Sequence, residues 1–399
     1  MKYLYFGTVC NAAAYERIIA SCSVKPSVAP FVFESLLLEG FRKNGADVDA
    51  VSFPMIPAFP RSKKAFWGAV KEQLNCGYHN TWIPTINITG LKQLSQNIVS
   101  GQIIKKWIKK TQGEERAVVI YSVYGPIASN VIRYCKKNHI KCYAIVPDLP
   151  RDMYANIKIG KLKKILTDYS VKKTLKIQGD FDGYIYLTEA MKDVINPDAP
   201  YTVVEGIANV HLNPPEIKEK AAPPAIMYAG ALNEKYGLKN IMEAFLLLRS
   251  EAQLWIFGAG DFEDAVVNYS KNNSKIKFFG RKSHDEVLAM ERQATLLINA
   301  RNVDDEFTKY SFPSKTIEYM ASGTPLLTTR LAGIPEEYFS HCYSIPNNSI
   351  ECLRDMMESA IKDAHQNVEM GKEAQDYITR EKSPYRQAAK IIEFIRDTQ

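Results

Sequence analysis

Residues 311–325 (SFPSKTIEYMASGTP) hold the densest set of side chains able to do chemistry. Pro313 suits the start of a helix and Gly323 its stop. The spacing therefore predicts a helix over 313–322 with Ser314 and Lys315 in its first turn. Free N–H groups at such a start can hold the oxygens of a diphosphate. Glu318 follows about one turn later. A carboxylate there can accept hydrogen bonds from two vicinal hydroxyls, as on a ribose; taken by itself, it reads as well as a salt-bridge partner on a helix surface.

A second stretch, 228–238 (YAGALNEKYGL), reads as a strand end turning at a glycine into a helix. Gly230 permits close approach of backbone to a ligand, and Lys235 adds a full charge. Ordinary βα loops share these features. Gly258-Ala259-Gly260 follows another strand, but Glu263 stands where the dinucleotide fingerprint needs its third glycine. Phe6-Gly7-Thr8 also lacks that fingerprint, so nicotinamide dinucleotide binding is not supported. Asp148, at the end of an apolar strand, is a candidate for contact with a sugar, and equally a turn or cap residue. Asp304 and Asp305 adjoin in a loop with no ligand set around them, so no metal site is expected.

The elements that must position these residues alternate. Short apolar runs at 3–7, 47–53, 117–122, 142–147 and 183–187 read as strands in the first half, with a helix at 31–42. In the second half the strands fall at 225–229, 253–257, 275–279, 296–299 and 325–328. Helices are expected at 238–249, 262–272, 283–293 and 313–322. Continuous apolar runs suit parallel strands covered on both faces, and their alternation with helices means doubly wound sheets. The prolines and charges of 203–224 mark a boundary. The expected division is 1–206, 207–383, and an amphipathic helix over 384–399 that crosses back to the first domain.

The chain carries 51 Lys or Arg against 44 Asp or Glu. Residues 1–206 are at +11 and residues 207–399 at −4. Basic clusters lie at 102–111, 133–141 and 158–177. In the last, Leu162, Ile165, Leu166 and Tyr169 fall at helical spacing. An amphipathic basic helix can lie on an anionic membrane surface, though a charge run is also how a solvated helix face looks. The lysines are not interleaved with aromatic residues, so nucleic acid is not an expected partner. Seven cysteines with no C-x-x-C pair argue against a disulfide scaffold or a structural zinc and fit a reducing, cytosolic setting. No run reaches the length of a membrane span.

Taken in order, Gly230-Ala231-Leu232 with Lys235, Gly258-x-Gly260, Phe279-Gly280, FPSK at 312–315, EYMASGTP at 318–325 and GIPE at 333–336 resemble the donor domain of family-4 glycosyltransferases. The likeness is to the bacterial polysaccharide-type, group 1 members. It implies an α/β GT-B fold, with two Rossmann-like domains whose parallel sheets face a central cleft, and a retaining, metal-independent transfer. A nucleotide sugar would be the substrate, a UDP-sugar ahead of a GDP-sugar, with no further cofactor. Lys235 and the backbone at Gly230, Ser314 and Lys315 would hold the diphosphate. Glu318 matches the second glutamate of the family's E-x7-E motif and would hold the ribose. The loop near Arg281 would face the base, and Gly7 and Thr8 would approach the diphosphate from the first domain. Lys235, Glu318 and Asp148 form the expected catalytic set.

Tyr310 stands where the first motif glutamate belongs, and Ala231 replaces a basic residue common after the donor-domain glycine. The acceptor implied is a glycan, with a lipid-linked one favoured by the basic first half. The role implied is surface polysaccharide synthesis in the cytoplasm or on the inner face of the cell membrane. Two other readings stay open: a nucleotide-sugar 2-epimerase, disfavoured by 312–318, and a non-catalytic GT-B subunit, kept open by Tyr310.

Overall fold

The apolar runs become the central strands of two parallel sheets. The computed structural model describes residues 1–150, 168, 171–209, 219–347 and 349–399. They form two units: Met1–Ile207 with Pro384–Gln399, and Ala208–Ser383.

The first unit runs β1 (Lys2–Gly7), α1 (Ala12–Ala20), α2 (Ala29–Lys43), β2 (Asp47–Ser52), β3 (Phe66–Trp67), β4 (Lys71–Gln73), β5 (His79–Trp82), β6 (Thr85–Ile86) and α3 (Leu91–Lys110). It continues through β7 (Arg116–Tyr121), α4 (Gly125–Lys137), β8 (Lys141–Val146), β9 (Gly183–Tyr186), α5 (Met191–Ile195) and β10 (Tyr201–Val203). Its sheet has the order β10-β9-β8-β7-β1-β2-β5-β4. Every pairing is parallel except the edge pair β4–β5. The order reverses at β1, which pairs with β2 on one side and β7 on the other. β3 and β6 form a separate antiparallel pair. The expected basic helix of 158–177 lies largely outside the described residues; within it, 171–177 is helical.

The second unit runs β11 (Ala225–Ala229), α6 (Leu238–Leu246), β12 (Gln253–Phe257), α7 (Glu263–Asn272), β13 (Ile276–Gly280), α8 (His284–Gln293), β14 (Leu296–Asn299), α9 (Lys315–Ala321), β15 (Leu326–Thr329), β16 (Tyr343–Ile345), α10 (Ile350–Lys362) and α11 (Ala364–Glu381). The sheet is wholly parallel, in the order β13-β12-β11-β14-β15-β16. Alternate residues of β11 feed opposite cores: Ile226 and Tyr228 face α6 and α10, and Met227 and Ala229 face α9 and α11. A last helix, α12 (Pro384–Asp397), returns to the first unit. Its Ala388, Ile391 and Ile395 enter that core beside Leu37, Leu38 and Phe41 of α2. Gly40 is required there, because a Cβ would fall 2.0 Å from the Pro384 carbonyl. Among the described residues, no helix is long and apolar enough to cross a membrane.

Candidate active site

In an open parallel sheet, ligands bind beyond the carboxyl ends of the strands where the strand order reverses. In the second unit that point lies between β11 and β14, flanked by the loops 230–237 and 300–314. The first loop is shaped by backbone contact. Gly258 holds φ 135°, and a Cβ on it would lie 1.8 Å from the Gly230 carbonyl. A Cβ on Gly260 would lie 2.1 Å from the Leu232 carbonyl. The G-x-G pair therefore exists so that two βα loops can touch. Gly237, at φ 81°, abuts the Ala300 carbonyl in the same way and starts α6.

Lys235 sits in a short 3-10 turn, Glu234–Tyr236. Its Nζ lies 5.3 Å from the ring centres of both Tyr236 and Phe307. Arg301, two residues beyond β14, places its Cζ 4.6 Å from the same Tyr236 ring. Its Nε is buried without a hydrogen-bond partner. Burial depresses the guanidinium's pKa, and Tyr236, Tyr228 and Tyr319 are its charge neighbours. Neither cation has a carboxylate within 4.0 Å among the described residues. Two unpaired cations on one ring, one of them largely desolvated, make a place where a divalent anion would be strongly favoured. Beside them opens a cleft of about 660 Å³ whose lining includes Lys235 and Lys239 together with the acids Glu234, Asp261 and Asp305. Lys315 and Glu318 lie outside that lining.

Helix α9 starts at Lys315, two residues later than the proline suggests, with exposed Ser314 as its N-cap. Tyr319 ties the helix to the sheet: its hydroxyl accepts from the Ala229 N–H (2.8 Å) and donates to the Ala229 carbonyl (2.9 Å). Lys315 Nζ donates to Glu318 Oε1 and lies 3.9 Å from Glu291 of α8. The Lys315 charge is thus already engaged, which leaves Lys235 and Arg301 as the open cations. Burial alone would raise the Glu318 carboxyl, but the bonded Lys315 ammonium, with neighbouring Glu291, holds it below its ordinary value. Burial, with the Glu318 charge beside it, pushes Glu291 well up. The pair thus splits: Glu318, its side chain 22% exposed, is held toward the carboxylate, and fully buried Glu291 toward the protonated acid. Lys220 fixes the end of α8 by donating to the carbonyls of Arg292 (2.9 Å) and Ala294 (2.9 Å) and to Thr324 Oγ1 (2.8 Å).

The remaining expected residues are dispersed along these edges. Tyr310 is half-buried and follows the 3-10 turn Glu306–Lys309. Arg281 is exposed just past β13, next to Phe279, which stacks on Phe257 with ring centres 4.5 Å apart. In the first unit, Gly7 ends β1 and Asp148 lies exposed beyond β8. Thr8 is engaged by Glu34 of α2: its N–H donates to Oε1 (3.0 Å) and Oε2 (2.9 Å), and its hydroxyl also donates to Oε1. The Tyr5 hydroxyl donates to Oε2 (2.8 Å). The Glu34 carboxyl is thus the acceptor for Thr8 in this structure. Complete burial outweighs these donors and pushes Glu34 up to about 7.

Sequence reading missed Glu34, Glu291 and Arg301. The signal for Glu34 was present: with Leu37, Leu38 and Phe41 it falls on the apolar face of α2. The signal for Glu291 was similar, three residues after buried Leu288 on α8. Arg301 had only its place after a buried strand.

This architecture has known counterparts. Residues 211–377 match the family model for glycosyl transferases group 1. The chain as a whole has the GT-B fold. It is similar to sucrose-phosphate synthase from Thermosynechococcus elongatus at 13% identity, covering 100% of this chain and 99% of that one, with a TM-score of 0.64. The lipopolysaccharide outer core galactosyltransferase WaaB, in its apo form, is 12% identical over 100% of both chains, with a TM-score of 0.59. HepE from Anabaena, in complex with UDP and glucose, is 10% identical over 100% of both chains, also at 0.59. No curated protein sequence matches the chain.

Proposed function

We propose that the protein is a retaining glycosyltransferase of the family-4 type. It moves a hexose from a nucleotide sugar, with UDP favoured, to a glycan acceptor. The support that weighs most is the pair Lys235 and Arg301 at the reversal point of the second sheet, neither with a carboxylate within 4.0 Å among the described residues. A departing nucleoside diphosphate gains negative charge in the transition state. Fixed cations aimed at that charge lower the barrier. Glu318, kept ionised by Lys315, is suited to accept hydrogen bonds from the ribose hydroxyls. The UDP bound by HepE favours uridine as the base, and Arg281 with Phe279 is the proposed place for it.

In the proposed step, the bond from the anomeric carbon to the diphosphate oxygen breaks, and the acceptor hydroxyl bonds to the same face of that carbon. The hydroxyl proton passes to an oxygen of the departing phosphate, so no protein nucleophile is needed and positioning does most of the work. Asp148 is proposed to contact the acceptor or the donor sugar. The net charge of +11 over residues 1–206 supports a lipid-linked acceptor and peripheral attachment to an anionic membrane, as surface polysaccharide synthesis would require.

The test is a thermal-shift panel of nucleoside diphosphates and nucleotide sugars in EDTA. A ligand that binds only the folded state raises its apparent stability. A shift with UDP that Lys235→Ala and Glu318→Ala abolish is expected. Absence of a shift with every nucleotide refutes the reading.

A further inference from the structure

Helix α3 presents an outward stripe unlike a solvated face. Leu91, Leu94, Ile98, Gln102, Lys105 and Lys109 recur at steps of three and four, which places them on one side of the helix over about 27 Å. Leu91 is 47%, Leu94 57% and Ile98 50% exposed, and Gln102, Lys105 and Lys109 are exposed as well. The opposite face is fixed to the unit. Trp107 Nε1 donates to Asp49 Oδ2 (2.9 Å), Asn97 Nδ2 donates to the Pro126 carbonyl (2.8 Å), and Ile104 is wholly buried. The stripe therefore cannot roll inward. The β3–β6 pair widens it. The Ile86 N–H donates to Ser95 Oγ (3.2 Å), and Ile86 pairs across the strands with Phe66. Phe66 is 59% exposed, and Ile86 and Ile88 are each 40% exposed.

The stretch of chain that carries this apolar surface is strongly basic. Residues 59–111 carry nine Lys or Arg and one acid, Glu72. That acid is turned inward, accepting from the Asn11 N–H, Asn80 Nδ2 and Trp82 Nε1. Arg61, Lys63 and Lys64 are exposed near Phe66 in the chain, and Lys105, Lys106, Lys109 and Lys110 end α3. Among the described residues, none of these seven has a carboxylate within 4.0 Å. Lys105 and Arg133 also converge on the Tyr134 ring, at 5.0 and 5.1 Å, which carries the basic surface onto α4.

We propose that this face, Phe66 and Ile86 with the α3 stripe, docks on an anionic lipid surface. The aliphatic side chains enter the boundary between headgroups and acyl chains, and the lysines meet the lipid phosphates. Interfacial helices combine buried apolar area with attraction to anionic lipid in this way. A second copy of the chain is the poorer occupant, since it would bring the same cations against these, with no acidic partner on the stripe. The inference deepens the membrane part of the proposed function and does not depend on the sugar chemistry of the second unit.

The test is flotation of the full chain with vesicles of phosphatidylcholine, with and without phosphatidylglycerol. Wild type is expected to float with anionic vesicles and to release as salt rises. Changing Lys105, Lys106, Lys109 and Lys110 together to Gln should weaken binding by at least about tenfold. Changing Leu91, Leu94 and Ile98 together to Ser should remove the portion that survives high salt. Both variants alter exposed side chains, so each should keep the wild-type melting temperature and the wild-type response to UDP. No flotation of wild type, or equal flotation of both variants and wild type, overturns the proposal. So does a wild-type dimer in sedimentation that the Leu91, Leu94 and Ile98 variant dissolves. Loss of the UDP response in wild type would refute the glycosyltransferase reading and leave this one standing.

Discussion

Glu34→Gln should flatten one slope of the stability–pH curve. Glu34 is fully buried, and its carboxyl is raised from about 4.5 to about 7 by burial. The folded state thus holds its proton where the unfolded chain has lost it. Stability from this group is fully present below about pH 4.5 and is lost as pH rises through about 7. At about 1.4 kcal/mol per pH unit the whole difference is about 3 kcal/mol, of which about 2–3 kcal/mol falls between about pH 5 and 8. Gln has the shape of the protonated acid and cannot ionise, so the variant lacks this loss. Neighbouring groups do not cloud the window: burial pushes Tyr5 and Tyr121 well up and Cys10 to about 12. The assay is urea unfolding read by tryptophan fluorescence at several pH values. Three of the four tryptophans, Trp67, Trp82 and Trp107, lie in the first unit and report on it. Parallel curves for variant and wild type would refute the reasoning. They would mean that the donors from Thr8 and Tyr5 keep Glu34 ionised despite its burial.

Arg301→Gln should weaken UDP binding at least about tenfold while leaving uridine binding unchanged, because a charge-assisted contact is worth about 1.5–3 kcal/mol. The ligand-free melting temperature should hold or rise, since an unpaired buried cation is removed; a lower melting temperature with unchanged UDP affinity would mark Arg301 as structural. Glu318→Gln should cost UDP about tenfold in affinity by calorimetry, yet cost 2′-deoxy-UDP much less; equal losses would place the carboxylate away from the ribose. Gly258→Ala should destabilise the second unit by about 2 kcal/mol or more in chemical denaturation, since φ 135° and a 1.8 Å contact with the Gly230 carbonyl leave no room for a methyl group. Lys220→Met should cost about 1–3 kcal/mol by the same measurement, because it strips three oxygens, two of them half-buried, of their donor.

Strands were the most legible part of the molecule. Residues 225–229, 253–257 and 296–299 are short runs dominated by apolar residues, and each is a strand with those bounds. Such runs are buried on both faces, so no competing periodicity obscures them. The small strands β3 to β6 were not legible. They are two to four residues long, mix charged with apolar side chains, and depend on partners distant in sequence. Within the site, Lys235, Ser314, Lys315 and Glu318 announced themselves by position in a βα loop or at a helix start. What their charges do was not legible. Lys315 is spent on Glu318 because α9 brings the two side chains together, and Arg301 matters because no carboxylate comes within 4.0 Å of it among the described residues. A missing partner is a property of the folded molecule and leaves no mark in the order of residues.

The return of α12 to the first unit has a consequence for synthesis. The first unit's core needs Ala388, Ile391 and Ile395, which are synthesised after every residue of 208–383. The earliest part of the chain therefore waits for one of the latest, with Leu37, Leu38 and Phe41 open to water or to a chaperone until it arrives. A free chain that ends at Ser383 should carry a protease-resistant second unit behind a first unit that is still easily cut.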